Sequence, residues 1–113
     1  MSYIIDGINI AMTRGDTFRA RFPLYMDGEE YELQEGDAVR WALKDADGEH
    51  ALIEKDISGD YMLVLDPEDT KALDYGTYRY DCQITFAENG DTITYIPDTP
   101  TGKAKVKLTW EAD

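Results

Sequence analysis

Between Thr77 and Phe86 every second residue is apolar: Tyr78, Tyr80, Cys82, Ile84 and Phe86 alternate with Thr77, Arg79, Asp81, Gln83 and Thr85. Successive side chains of a strand point to opposite faces, so this segment reads as a long strand with one face in a core and one in water. A helix would scatter the same five residues around its circumference. The pattern recurs. Ala104, Val106, Leu108 and Trp110 alternate with Lys103, Lys105, Lys107 and Thr109. Phe18, Ala20, Phe22 and Leu24 alternate with Thr17, Arg19 and Arg21, and Val39, Trp41 and Leu43 with Arg40, Ala42 and Lys44. Weaker strand patterns lie at 4–12, 30–33, 52–57, 61–65 and 92–96.

Turn chemistry falls between these runs. Asp27-Gly28, Gly36-Asp37, Asp47-Gly48, Gly59-Asp60 and Asn89-Gly90 supply residues that reverse a chain through positive φ or Asx turns. Asn89-Gly90, between Phe86 and Ile93, predicts a hairpin. One helical turn is expected over residues 67–73. Asp66 suits its cap, Pro67 its first position, and Asp69 the positive end of its dipole. About seven to nine short strands with turns at roughly 8–12-residue spacing predict an all-β, antiparallel sandwich or barrel. The chain of 113 residues reads as a single domain over 1–113.

Composition narrows the function classes. Asp and Glu outnumber Lys and Arg by 24 to 11, a formal net charge of −13 spread along the whole chain. Unaided binding to nucleic acid or an anionic membrane wants the opposite footprint, so neither is expected as a partner. The opening MSYIIDGINI has neither the charged nor the apolar region of a signal peptide. No apolar run approaches the ~18 residues of a membrane span. Cys82 is the one cysteine, so no intramolecular disulfide forms.

Asp74-Tyr75-Gly76-Thr77-Tyr78-Arg79-Tyr80 resembles the Asp-x-Gly-x-Tyr-x-Cys run of immunoglobulin-like domains. The resemblance implies that Tyr78 is a tyrosine corner, its ring in the core and its hydroxyl on upstream backbone, and that Trp41 is the buried tryptophan opposite. Tyr80 stands where the disulfide cysteine would be, so packing alone must join the sheets. A second resemblance spans most of the chain. It runs through Gly15-Asp16-Thr17-Phe18, Arg40-Trp41-Ala42-Leu43, Ile53-Glu54-Lys55-Asp56-Ile57, residues 65–73, residues 76–85 and Gly90-Asp91-Thr92-Ile93-Thr94. In that order these pieces resemble small β-sandwich proteins from tail and baseplate regions of phages and prophages of Gram-positive bacteria, such as the N-terminal domain of upper baseplate proteins. The resemblance implies a virion component assembled in the bacterial cytoplasm, with no catalytic residues to carry over.

Catalytic chemistry finds little material. His50 sits in the turn Asp47-Gly48-Glu49-His50, and Cys82 falls on the apolar side of its strand, where a thiol is inert. One His and one Cys do not make a zinc site. Asp45-x-Asp47-Gly48-Glu49 lacks the spacing of a calcium loop. No cofactor, metal or catalytic residue is expected. The outward Lys103, Lys105 and Lys107 stand out on an acidic chain. They read as edge-strand protection, as partners for acids such as Asp81, or as a docking face for another copy or another protein. Eight tyrosines exceed what one small core holds, which suits an interface. The leading expectation is a non-enzymatic interaction module docking other virion proteins. The alternative is a carbohydrate-binding or host-surface adhesion module that uses Tyr and Asp at the loops.

Overall fold

The computed structural model describes residues 3–6, 8–97 and 104–109, residues 3–6 as backbone course. The described residues are mostly strand. A hairpin of β1 (Tyr3–Asp6) and β2 (Asn9–Thr13) begins the larger sheet. Beside β2 runs β11 (Ala104–Thr109), in parallel. β11 then pairs antiparallel with the first half of β9 (Gly76–Thr85), and β10 (Thr92–Ile96) with the second half. On the other side of β9 lies β6 (Ala38–Lys44), and β7 (Ala51–Asp56) forms the far edge. A smaller antiparallel sheet joins β3 (Phe18–Arg21) to β8 (Met62–Leu65). β4 (Tyr25–Met26) and β5 (Glu29–Glu30) make a short separate hairpin.

Three expectations change. The stretch 4–12 is two strands, because Asp6 pairs with Asn9 and the chain reverses between them. The large sheet is mixed and not purely antiparallel. β2 and β11 come from opposite ends of the chain, so no short connection forces their direction. The strand expected at 30–33 shrinks to Glu29–Glu30. Asp27 and Gly28 both take positive φ (53° and 83°), the pattern of a tight two-residue hairpin turn. The Tyr31 N–H still bonds the Leu24 carbonyl, and beyond it Tyr31 and Leu33 pack against the core.

One core joins the two sheets. Phe18, Leu63 and Leu65 of the small sheet meet Ile10, Met12, Val39, Trp41, Leu43, Tyr80, Cys82, Ile84, Val106 and Leu108 of the large one. Trp41 is fully buried in this core, stacked on Tyr80 with ring centroids 5.6 Å apart, and Phe22 meets Tyr80 edge-on at 5.5 Å. A register shift in β10 between Thr94 and Ile96 leaves Tyr95 as the extra residue, and its hydroxyl donates to the Phe22 carbonyl at 2.6 Å. The β7 edge carries exposed Glu54 and Asp56, while the inward Lys55 reaches Asp69 at 3.1 Å. Alternating charge of this kind disfavours edge-to-edge pairing.

At one end of the sheets, α1 (Pro67–Lys71) bridges β8 to β9. Its start is closed by the Asp66 N–H donating to the Asp69 carboxylate. Its end is closed by Arg14, which donates to the Leu73 carbonyl at 2.7 Å and to the Lys71 carbonyl. The buried Thr70 hydroxyl accepts from the Gly15 N–H at 2.8 Å, so the turn after β2 and the helix hold each other. Tyr78 finishes this corner: its hydroxyl donates to the Asp74 carbonyl at 2.7 Å. Tyr78→Phe keeps the ring and removes that bond. It should lower stability by about 1 kcal/mol in urea denaturation with an unchanged slope, and an unmoved midpoint would show the corner to be dispensable.

Candidate functional site

The outward side of the large sheet divides into two electrostatic halves. Toward β7, cations and acids are matched. Arg40 pairs with Glu54, and Lys44 Nζ lies 2.6 Å from the Asp81 carboxylate. Toward β2, they are not. Lys44, Arg79 and Lys105 stand directly opposite one another across β6, β9 and β11, and Lys107 follows on β11 opposite Thr77. Like charges opposite one another in a sheet are destabilising. Lys44 is relieved by Asp81. Among the described residues, no carboxylate lies within ion-pair distance of Arg79, Lys105 or Lys107. Lys105 and Lys107 are exposed, and the half-buried Arg79 lies against the β6–β7 turn. A Cβ at Gly48 would sit 3.4 Å from its Nη1, an ordinary contact distance that places the guanidinium beside this turn.

This arrangement corrects two readings of the lysines and adds a residue. β11 is an interior strand between β2 and β9, so its lysines do not protect an edge. Asp81 is engaged by Lys44 and does not neutralise them. Lys103 lies outside the described residues. Arg79 joins the patch through register, although the alternation marks it only as outward-facing.

Cys82 and His50, the two residues with nucleophilic or zinc-binding chemistry, are not brought together. Cys82 is buried, and its burial pushes the thiol pKa up. His50 is exposed at the β6–β7 turn, with Nδ1 2.9 Å from the Asp45 carboxylate. Asp45, Asp47 and His50 place ligand-type atoms within 4.8 Å of one another. Their carboxylates also close the turn: Asp45 accepts from the Glu49 and His50 N–H groups, and Asp47 from the Glu49 N–H. The neighbouring Asp47 first, then His50 and these N–H groups, hold the Asp45 carboxyl down at about 2.

The tyrosines are mostly structural. Tyr61 and Tyr80 are buried, and the Tyr61 hydroxyl donates to the Tyr31 carbonyl. Among the tyrosines whose side chains are described, Tyr25 is the exposed one, at 62%. It helps to line a cleft of about 640 Å³, together with Ile8, Phe22, Pro23, Tyr80, Tyr95 and Ile96 among others. The Tyr80 and Tyr95 hydroxyls there already donate to the Ile8 and Phe22 carbonyls, so the cleft offers largely apolar surface. Trp41 is fully buried and meets no ligand-accessible surface. No helix among the described residues is long and apolar enough to cross a membrane. No protein-family model matches the chain, and neither a curated protein nor a solved structure does.

Proposed function

We propose that the chain is a non-enzymatic interaction module, an immunoglobulin-like sandwich that docks an acidic partner protein through Arg79, Lys105 and Lys107 in a phage or prophage tail or baseplate. The carrying observation is the row of unmatched cations on an exposed sheet face. Folding gains nothing from lining them up, whereas an acidic partner surface would relieve them and fix its own orientation. The immunoglobulin-like wiring has support in neighbour order: β6, β9 and β11 follow one another as strands C, F and G do, and β3 pairs with β8 as B pairs with E. Trp41 on β6 and the Tyr78 hydroxyl on Asp74 suit the buried tryptophan and the corner of that fold. The parallel β2–β11 pair departs from an all-antiparallel scheme. The inert setting of Cys82 and the exposed turn of His50 favour a binding role. The phage setting rests on the sequence resemblance, and gene neighbours test it: tail or baseplate genes are expected, and a metabolic operon overturns it.

Docking is tested by titrating ¹⁵N-labelled chain with a synthetic oligoglutamate and, separately, with a neutral oligosaccharide. Oligoglutamate should shift the amides of Thr77, Arg79, Lys105 and Lys107. The shifts should vanish at about 1 M salt, where screening acts over about 3 Å. They should also be absent in Lys105→Glu/Lys107→Glu, whose Tm should be no lower than wild type, because the change at 105 gives Arg79 an opposite-charge neighbour. Absence of shifts on this face sinks the docking reading. The carbohydrate alternative is favoured by the exposed Tyr25 at the cleft, and oligosaccharide-induced shifts at Tyr25 and Thr94 would put it first.

A further inference from the structure

We infer that the acidic surface received by Arg79, Lys105 and Lys107 belongs to a second copy of this chain and is its segment from Tyr25 to Glu35. The inference rests on the docking reading and names the partner. Asp27, Glu29, Glu30, Glu32 and Glu35 fall in this segment with no Lys or Arg among them. Glu30 pairs with Arg21 at 2.7 Å. Among the described residues, the exposed Asp27, Glu29, Glu32 and Glu35 have no ion-pair partner. The hairpin holding the first of them also exposes Tyr25 and Met26, at 62% and 41%. Exposed Tyr and Met are enriched at interfaces, and the acids around them suit a polar rim.

Placement keeps the two surfaces of one copy apart. The hairpin is fastened by Arg21, which points outward from the small sheet, whereas the cations point outward from the opposite, large sheet. One copy therefore cannot satisfy itself, and the complement must come from another. Such a contact is heterologous, with a different patch on each side, and it propagates into a ring or an open chain. The net charge of −13 opposes association at long range. At 0.15 M salt that repulsion is screened beyond about 8 Å while contacts at the interface persist.

Sedimentation velocity on the full chain tests this, with two charge-reversed variants. Wild type should exceed its monomer mass of 12.8 kDa as concentration rises toward about 1 mM, the weak end of specific association. Lys105→Glu/Lys107→Glu alone should stay monomeric, and so should Glu29→Lys/Glu32→Lys/Glu35→Lys alone. The second variant makes the chain less acidic, so its loss of association could not come from bulk repulsion. An equimolar mixture should recover association, because the acidic hairpin of the first meets the basic face of the second, and the mass should rise about twofold. A wild type monomeric throughout, a variant that associates like wild type, or a mixture that stays monomeric overturns the inference. If oligoglutamate still shifts the Arg79–Lys105–Lys107 face in that case, docking stands and the partner is another protein. If it does not, both fall.

Discussion

Trp41→Ala should lower the unfolding free energy by about 3–5 kcal/mol, the range for emptying a large buried aromatic site. Domains of this size hold only about 5–15 kcal/mol in all, so the variant should be partly unfolded at 37 °C. The reason is position. Trp41 is 0% exposed and sits between the two sheets, with Tyr80 stacked on it and Phe22 edge-on to Tyr80. No disulfide shares the work of joining the sheets there, since Cys82 is free. Trp41→Phe should behave differently. The indole Nε1 has no hydrogen-bond acceptor among the described residues, so phenylalanine removes a buried unsatisfied donor while keeping most of the ring stack. The expected cost is about 1–2 kcal/mol, from the smaller volume alone. Guanidinium denaturation followed by circular dichroism separates the cases. Equal losses for Phe and Ala would show that the core depends on the indole N–H, and a mild loss for Ala would show that Trp41 is not central.

The strands visible in the sequence are those that burial forces into period two. β9 and β6 each pair one wet face with one dry face, and their alternation marks them almost end to end. The N-terminal stretch resists this because Ile4, Ile5, Ile8, Ile10 and Met12 fall on both parities, so periodicity does not say where the chain turns. The parallel pairing of Ile10 with Val106 joins opposite ends of the chain, and no local pattern announces it. That pairing changes the meaning of the lysines, because it puts a strand where an edge was expected. Arg79 illustrates the same limit for the candidate site: its outward direction is legible, its place between Lys44 and Lys105 is a matter of register. Gly36-Asp37 is legible as a turn, and the Asp37 N–H does bond the Gln34 carbonyl at 3.0 Å. The second role of Asp37 is invisible locally, since it depends on Ala87, far along the chain.

That second role sets the other large effect. Asp37 is buried where the β9–β10 loop meets the segment entering β6. Its carboxylate accepts from the Ala87 N–H at 2.9 Å, and from the Gln34 N–H and the Tyr31 hydroxyl at 2.8 Å each. The Ala87 N–H first, then the Gln34 N–H and Tyr31, hold the carboxyl below the usual range against the opposing effect of burial. The Tyr31 phenol is raised in turn, chiefly by the same bond. A carboxyl lowered on folding contributes stability that is fully present above its unfolded value of about 3.9 and is lost as pH falls through the folded value. Asp37→Asn keeps the shape but turns an NH₂ group toward a donor whichever way the amide lies. At pH 7 its Tm should fall by on the order of 10 °C. The gap should narrow as pH drops below about 4, because wild type then loses the same charge. Glu30, Asp45 and Asp56 are also held low, by Arg21, Asp47 and Ser58 respectively. They titrate alike in both proteins and cancel in the difference. Calorimetry from about pH 7 to about pH 2.5 reads the gap directly. A gap that stays constant with pH would mean that the Asp37 charge does not hold the loops, and a variant as stable as wild type at pH 7 would remove Asp37 from the fold's supports altogether.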